Sequence, residues 1–264
     1  MDLGLRDRVA LVCGGSSGLG YAVAEALLAE GVRVALNGRN REKLEGAVTA
    51  LQRAAAGRSV AGFAADVSRP EEAAALVTEV GRTLGGPDIV LCNAGGPPAG
   101  PFASHPADAW SRALEVSLLP TIHLARAAVP GMRERRWGRI LCLTSVAARQ
   151  PAQGLILSTT ARAGVLGFAQ ALADEVAPDG ITVNVLCPGY FGTDRLAELA
   201  ATRGAAQGRT PAQVLEEMGA AVPMRRIGSP AEFAAAVVFL ASEPARYITG
   251  TALSVDGGLT RAIL

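Results

Sequence analysis

Short apolar runs alternate along the chain with longer segments in which alanine, leucine and valine recur at helical spacing. The runs of strand length cover residues 9–13, 32–37, 59–65, 88–92, 139–144, 181–186 and 252–255. The helical pattern covers residues 22–30, 41–55, 71–84, 107–133, 155–176 and 231–241. Because the strand-like runs are continuously apolar rather than alternating, helices are expected on both faces of a parallel sheet. The pattern predicts an α/β fold with one doubly wound sheet of about seven strands, of the Rossmann type.

No stretch rich in proline, glycine or serine divides this alternation, so residues 1–264 are predicted to form a single domain. The least regular segment is 191–226, where glycine, threonine and glutamine interrupt short helical pieces. We therefore predict a mobile lid in that segment.

Charge and composition exclude several classes of protein. Half of the residues are hydrophobic (50%), and 25 basic against 24 acidic residues leave a net charge of +1. This balance provides no electrostatic footprint for nucleic acid or for an anionic membrane. No signal peptide or membrane-length apolar stretch is recognisable, so a soluble, cytoplasmic protein is expected. The four cysteines lack metal or redox spacing, which predicts buried thiols and no metal site.

A glycine-rich turn follows the first apolar run and leads directly into a helical segment. Gly14, Gly18 and Gly20 stand in this turn. Glycine lets the backbone approach a pyrophosphate, and the helix start provides free N–H groups and the positive end of a dipole. The alternative is a tight strand-to-helix turn that needs glycine for packing alone.

Further polar and glycine motifs follow the other strands, at the edge where doubly wound sheets bind ligands. They are Asp66-Val67, Asn93-Ala94-Gly95, Ser145, Pro188-Gly189-x-x-x-Thr193 and Asp256-Gly257-Gly258. Taken in order, the set resembles the short-chain dehydrogenase/reductase family across essentially the whole chain. Segments 226–230 and 239–242 are most similar to the β-ketoacyl-[acyl-carrier-protein] reductase-like members.

The resemblance implies a dinucleotide site. The adenosine and pyrophosphate end would be lined by Gly14, Ser16, Ser17, Gly18 and Leu19, and the adenine would be flanked by Asp66 and Val67. The ribose would lie against Asn93, Ala94 and Gly95. The nicotinamide end would be held by Pro188, Gly189, Phe191 and Thr193. Asn93 could instead be a plain turn residue. Thr193 could be the N-cap of a lid helix, and both of its roles can hold together.

The end of the second strand favours NADP(H) over NAD(H). A carboxylate there would bind the ribose and repel a 2′-phosphate, but residues 37–40 contain none. Arg39 can present a planar fork to a phosphate. The alternative is an ordinary solvated arginine.

The catalytic positions depart from the family pattern of Asn, Ser, Tyr and Lys. Ser145 matches the family's serine, but Ser117, Ser158 and Arg162 occupy the Asn, Tyr and Lys positions. No shift of the alignment repairs this, because Lys43 is the only lysine and lies after the second strand. Tyr190 is a candidate replacement acid, although a packing aromatic is the favoured interpretation.

The sequence leaves two functions open. The first is an NADP(H)-dependent oxidoreductase that reduces a carbonyl compound to an alcohol. The second is a weakly active or inactive dinucleotide-binding protein that acts as a sensor or partner subunit. The stiff, apolar loop 95–101 suggests an uncharged carbonyl substrate.

Small residues on several faces of 107–133 and 155–176 predict a homo-oligomer, and the resemblance suggests a tetramer.

Overall fold

One seven-stranded sheet forms the centre of the molecule in the computed structural model, which describes residues 1–54 and 59–262. Its order is β3-β2-β1-β4-β5-β6-β7, and every neighbouring pair is parallel. The strands are β1 (Val9–Cys13), β2 (Arg33–Gly38), β3 (Val60–Ala64), β4 (Ile89–Asn93), β5 (Gly138–Leu143), β6 (Ile181–Pro188) and β7 (Ala252–Val255). The predicted fold class is confirmed.

Helices connect the strands and cover both faces of the sheet. They are α1 (Gly18–Ala29), α2 (Arg41–Ala54), α3 (Pro70–Leu84), α4 (Ala107–Ser117), α5 (Leu119–Arg135), α6 (Ile156–Val176), α7 (Asp194–Gln207), α8 (Pro211–Ala221) and α9 (Pro230–Ala241). The predicted last residue of α2, Ala55, lies outside the described residues. Among the described helices, none combines the length and apolarity needed to cross a bilayer.

The continuous apolar runs follow from burial on both sides. Along β1, Ala10 and Val12 belong to one core cluster, whereas Val9, Leu11 and Cys13 belong to the cluster on the other face. Successive residues of a strand point to opposite faces, so a strand covered on both sides has no solvent-facing positions. The four cysteines are free and buried, as predicted.

The predicted helix 107–133 is wrong in its continuity, because two helices occupy this segment. Leu118, with φ −106° and ψ −55°, separates α4 from α5. Pro120 follows in the first turn of α5. Proline has no N–H to continue the hydrogen bonds of α4, and it is well suited to a first turn. The junction places Ser117 at the end of α4.

The predicted lid segment is more regular than its sequence suggested. Thr193 accepts a hydrogen bond from Leu196 N and caps α7, which confirms the proposed capping role. Thr210 forms a capping box with Gln213 at the start of α8. The two helices share a small core of Leu196, Ala200, Val214 and Met218.

The strand order reverses between β1 and β4, which opens a crevice at the carboxyl ends of these strands. The turn after β1 and the end of β4 meet there, with Asn93 Nδ2 lying 3.4 Å from Gly14 O. Gly20 packs against the same turn, and a Cβ at Gly20 would lie 2.2 Å from Gly14 O. The glycine at position 20 therefore sets how closely α1 approaches the sheet.

We predict opposite effects of alanine at two helical glycines. Gly20→Ala must displace the backbone at Gly14 and should lower the free energy of unfolding by about 1–3 kcal/mol. Gly81→Ala on α3, where a Cβ meets nothing within 4 Å, should raise it by about 0.5–1 kcal/mol. Urea unfolding of both variants tests this pair, and equal effects would contradict the packing argument.

Candidate active site

The turn after β1 is shaped to receive an anion. Gly14 and Gly18 have φ values of 60° and 56°, in the left-handed region that glycine adopts without strain. Ser17 precedes α1 but makes no side-chain capping bond, and the first turn of α1 contains no acidic residue. Ser17 therefore does not cap the first N–H groups of α1. A phosphate that binds at this helix start requires N–H groups without such a cap. Ser16 is half-buried in the turn, and Leu19 packs against the core.

The end of β2 presents Arg39 to solvent beside this turn. Among the described residues Arg39 forms no hydrogen bond or ion pair. Gly38 lies against Ser16, since a Cβ at Gly38 would be 3.4 Å from Ser16 Oγ. Asn37, in contrast, is buried, and its amide donates to Phe63 O and Ala65 O of the neighbouring chain segment.

Asp66 and Val67 follow β3 at the same edge. Partial burial alone would raise the pKa of Asp66, but two hydrogen bonds from Ser68 and the positive charges of Arg39 and Arg69 lower it overall. His123 of α5 lies behind this loop, with its Nδ1 3.3 Å from Val67 O. Because a carbonyl oxygen only accepts, this contact assigns the proton to Nδ1.

The loop after β4 carries Asn93, Ala94 and Gly95 along the crevice. Ser117 is buried, and its hydroxyl donates to Gly95 O at 3.2 Å. The serine at the family's Asn position therefore tethers this loop from the end of α4. Further along, Gly100 N donates to Gly154 O at 2.8 Å, which holds the loop beside the start of α6.

Ser145 follows β5, and Ser158 lies in the first turn of α6. The Oγ of Ser145 accepts from Ala147 N at 3.2 Å, which leaves the hydroxyl proton available. The short turn at 146–148 packs against α6. Ser158 is buried, and its hydroxyl has no hydrogen-bond partner among the described residues.

Arg162 lies one turn beyond Ser158 on α6. Its side chain is half-buried, and a Cβ at Gly96 would be 3.2 Å from its Nη2. Burial lowers the pKa of Arg162, and the nearby positive charge of Arg195 lowers it further. The guanidinium remains charged in the neutral range.

The loop after β6 closes the other side of the crevice. Pro188 ends β6, and Gly189 N donates to Val255 O at 3.0 Å. Thr193 lies against Gly18, since a Cβ at Gly18 would be 3.5 Å from Thr193 Cγ2. The ring of Phe191 points into the core against Phe233, so only its main chain faces the crevice loop. Tyr190 packs on the small core of α7 and α8, in agreement with its favoured interpretation.

The structure thus joins motifs that are far apart in sequence at one crevice. The contacts Gly14–Asn93, Gly18–Thr193, Gly38–Ser16, Gly95–Ser117 and Gly96–Arg162 connect them. Sequence reasoning missed Arg195 and the support of Val67 by His123. Neither residue stands in a motif, and only the packing of α7 and α5 reveals them. Among the described residues, no group of three or more His, Cys, Asp or Glu could hold a metal ion.

Comparisons with known proteins decide the family. Residues 14–260 match the family model described as enoyl-(acyl carrier protein) reductase. The chain is 36% identical over 253 residues to an acetoacetyl-CoA reductase of Shinella zoogloeoides, which covers 96% of this chain and 98% of that protein. It is 35% identical over 257 residues to the 3-oxoacyl-[acyl-carrier-protein] reductase FabG of Vibrio cholerae, covering 97% and 99%. The chain belongs to the short-chain dehydrogenase/reductase family.

Solved structures of this family superpose closely on the fold. L-sorbose reductase of Gluconobacter frateurii, complexed with NADPH and L-sorbose, gives a TM-score of 0.95 at 34% identity over 100% of both chains. An actinorhodin polyketide ketoreductase with NADPH gives 0.92 at 32% identity over 97% of this chain and 98% of that one. The resemblance drawn from the sequence motifs is confirmed, and this short-chain dehydrogenase/reductase is an oxidoreductase of the ketoreductase-like branch.

Proposed function

We propose that the crevice binds a nicotinamide dinucleotide and that this protein reduces a carbonyl compound to an alcohol. The observation that carries the proposal is the glycine turn at an α1 N-terminus that Ser17 does not cap, placed where the strand order reverses. The NADPH complexes of L-sorbose reductase and the actinorhodin ketoreductase support the same assignment. Residues 14, 16–19, 66–67, 93–95, 188–189, 191 and 193 would hold the dinucleotide, with Phe191 contributing its main chain.

NADP(H) is favoured over NAD(H) because the end of β2 offers a cation and no carboxylate of its own. Arg39 is exposed beside Ser16 and Gly38, where a 2′-phosphate would meet its guanidinium. Asp66 lowers the net positive charge at this edge, yet it lies after β3 rather than β2. Arg39 is therefore the residue that we expect to determine the preference for NADP(H).

We predict that Arg39→Ala weakens NADPH binding about 10- to 100-fold while NADH binding stays the same. Gly38→Asp should reverse the preference, because its Cβ meets only ordinary contacts and its carboxylate would repel the phosphate. Calorimetric titration with both cofactors measures this, and Arg82→Ala on α3 serves as the charge control. Equal affinity for NADPH and NADH in every variant would contradict the assignment.

The chemistry requires a hydride, a proton and a polarised carbonyl. When bound, the reduced dinucleotide supplies the hydride. The substrate oxygen gains negative charge, which the Ser145 hydroxyl and the Arg162 guanidinium can stabilise by donating hydrogen bonds. A serine hydroxyl is much less acidic than a phenol, so Ser158 does not replace the missing acid. Water supplies the proton, and turnover is slow.

We predict that restoring the acid raises the rate. Ser158→Tyr combined with Arg162→Lys should increase carbonyl reduction about 10²- to 10⁴-fold, the usual contribution of a positioned acid. Ser158→Tyr alone should gain less, because Arg162 does not offer the geometry of lysine. Steady-state oxidation of NADPH measures both variants, and Ser145→Ala should abolish the wild-type rate.

The second function has its own supporting observation. Ser158 is buried, so a tyrosine ring at this position must find room in the crevice. If the double variant loses NADPH affinity and gains no activity, and the wild type turns over no carbonyl compound, a dinucleotide sensor or partner subunit is the better description.

The lid and the oligomer also remain proposals. Residues 191–226 would act as the lid, since α7 and α8 form their own small core next to Thr193.

On α6, Ala163, Gly167 and Ala171 recur at four-residue spacing and are exposed. Such a flat stripe suits close packing of a second copy, as in a homotetramer.

We predict that Gly167→Arg dissociates the oligomer without unfolding the protomer. A Cβ at Gly167 meets nothing within 4 Å, so the protomer has room for the new side chain. Gly81→Arg places the same residue on α3, in equally open space, and should leave the assembly intact. Sedimentation velocity at micromolar protein tests this, and a wild type that is already monomeric would contradict the proposal.

A further inference from the structure

Arg162 is a charged side chain without a compensating partner. Among the described residues it forms no hydrogen bond and no ion pair, although its side chain is half-buried. Loss of water around a guanidinium is costly unless its five N–H groups find acceptors. Water or a bound molecule must therefore supply acceptors for these N–H groups.

Two neighbouring side chains act on the guanidinium in opposite directions, because Arg195 lowers the pKa of Arg162 and Cys187 raises it. Nη2 faces Gly96 on one side, and Cys187 at the end of β6 is close enough to act on it electrostatically. Arg195, in the first turn of α7, brings a second positive charge. Arg195 is exposed, and its ion pair with Glu198, at 3.6 Å, lies on its own helix.

The other polar groups here do not neutralise Arg162. The hydroxyl protons of Ser145 and Ser158 have no acceptor among the described residues. Asp256, which acts electrostatically on Cys187, accepts hydrogen bonds from the N–H groups of Gly258 and Thr260. Within the described part of the chain, no carboxylate forms an ion pair with Arg162.

We propose that the substrate is an oxo acid whose carboxylate binds Arg162. A carboxylate matches the planar fork of arginine and would supply acceptors for its N–H groups. The inference rests on the proposed reductase function and refines its substrate class. It departs from the uncharged substrate suggested by the apolar loop 95–101, because the structure places a guanidinium directly against Gly96 of that loop.

The experiment compares oxo acids with their neutral amides in a complex that cannot react. The protein is loaded with NADP⁺, which has no hydride to give, and titrated calorimetrically with pyruvate, acetoacetate and levulinate and with the three primary amides. The best acid should bind about 10- to 100-fold more tightly than its amide. Arg162→Gln should remove this preference, Arg162→Lys should keep part of it, and Arg82→Gln should leave it unchanged.

Each outcome decides the inference. Equal binding of acid and amide, or no binding of any acid, overturns it while leaving the proposed function intact if NADP⁺ still binds. A preference that survives Arg162→Gln also overturns it. Loss of NADP⁺ affinity in Arg162→Gln without an acid preference in the wild type assigns Arg162 to the cofactor instead. Failure of the wild type to bind NADP⁺ defeats the proposed function itself. If Arg162→Gln does not fold, the wild-type comparison and Arg162→Lys still decide the result.

Discussion

The close approach of the turn after β1 to the end of β4 is the constraint on which the rest of the site depends. Gly14 meets Asn93 on one side and Gly20 on the other, with no space for a Cβ at Gly20. This contact fixes where α1 begins and keeps its first N–H groups pointed at the crevice. The other loops then join the same crevice through Thr193 at Gly18 and Ser117 at Gly95. A small displacement at Gly14 would therefore shift the start of α1 and the end of β4 together.

Dinucleotide binding and the proposed chemistry depend on different groups of this site. The proposed cradle for the dinucleotide depends on glycines and main-chain groups. The proposed chemistry depends on side chains, and here Ser158 and Arg162 replace an acid and its lysine. Positioning a hydride donor against a carbonyl can contribute several kcal/mol without any acid. An arginine at this place could stabilise an oxyanion but would not deliver a proton, so the proposed reductase is slow and its proposed substrate carries an anionic group.

Much of the fold was predictable because continuous apolar strands and glycine turns are local signals. β1 and β7 begin and end where the pattern placed them, and the cysteines are buried as expected. The break at Leu118 was missed because the helical pattern runs through it, and only Pro120 marks the new first turn. The regularity of α7 and α8 was missed because their caps and shared core are tertiary features. The site motifs could be recognised in the sequence because they resemble those of a known family. The surroundings of Arg162 could not be predicted, because Gly96, Cys187 and Arg195 lie far from it in the sequence.

Hydride transfer in this crevice is proposed to proceed without a titrating side chain as the acid. Single-turnover oxidation of bound NADPH by the best-binding oxo acid, followed between about pH 6 and about pH 9, tests it most directly. We expect measurable oxidation whose rate shows no inflection across this range, because Ser145, Ser158 and Arg162 do not change protonation there. A clear inflection would reveal an ionising acid in the pocket and would exclude hydride transfer without one, and NADPH that binds and is never oxidised would exclude hydride transfer altogether.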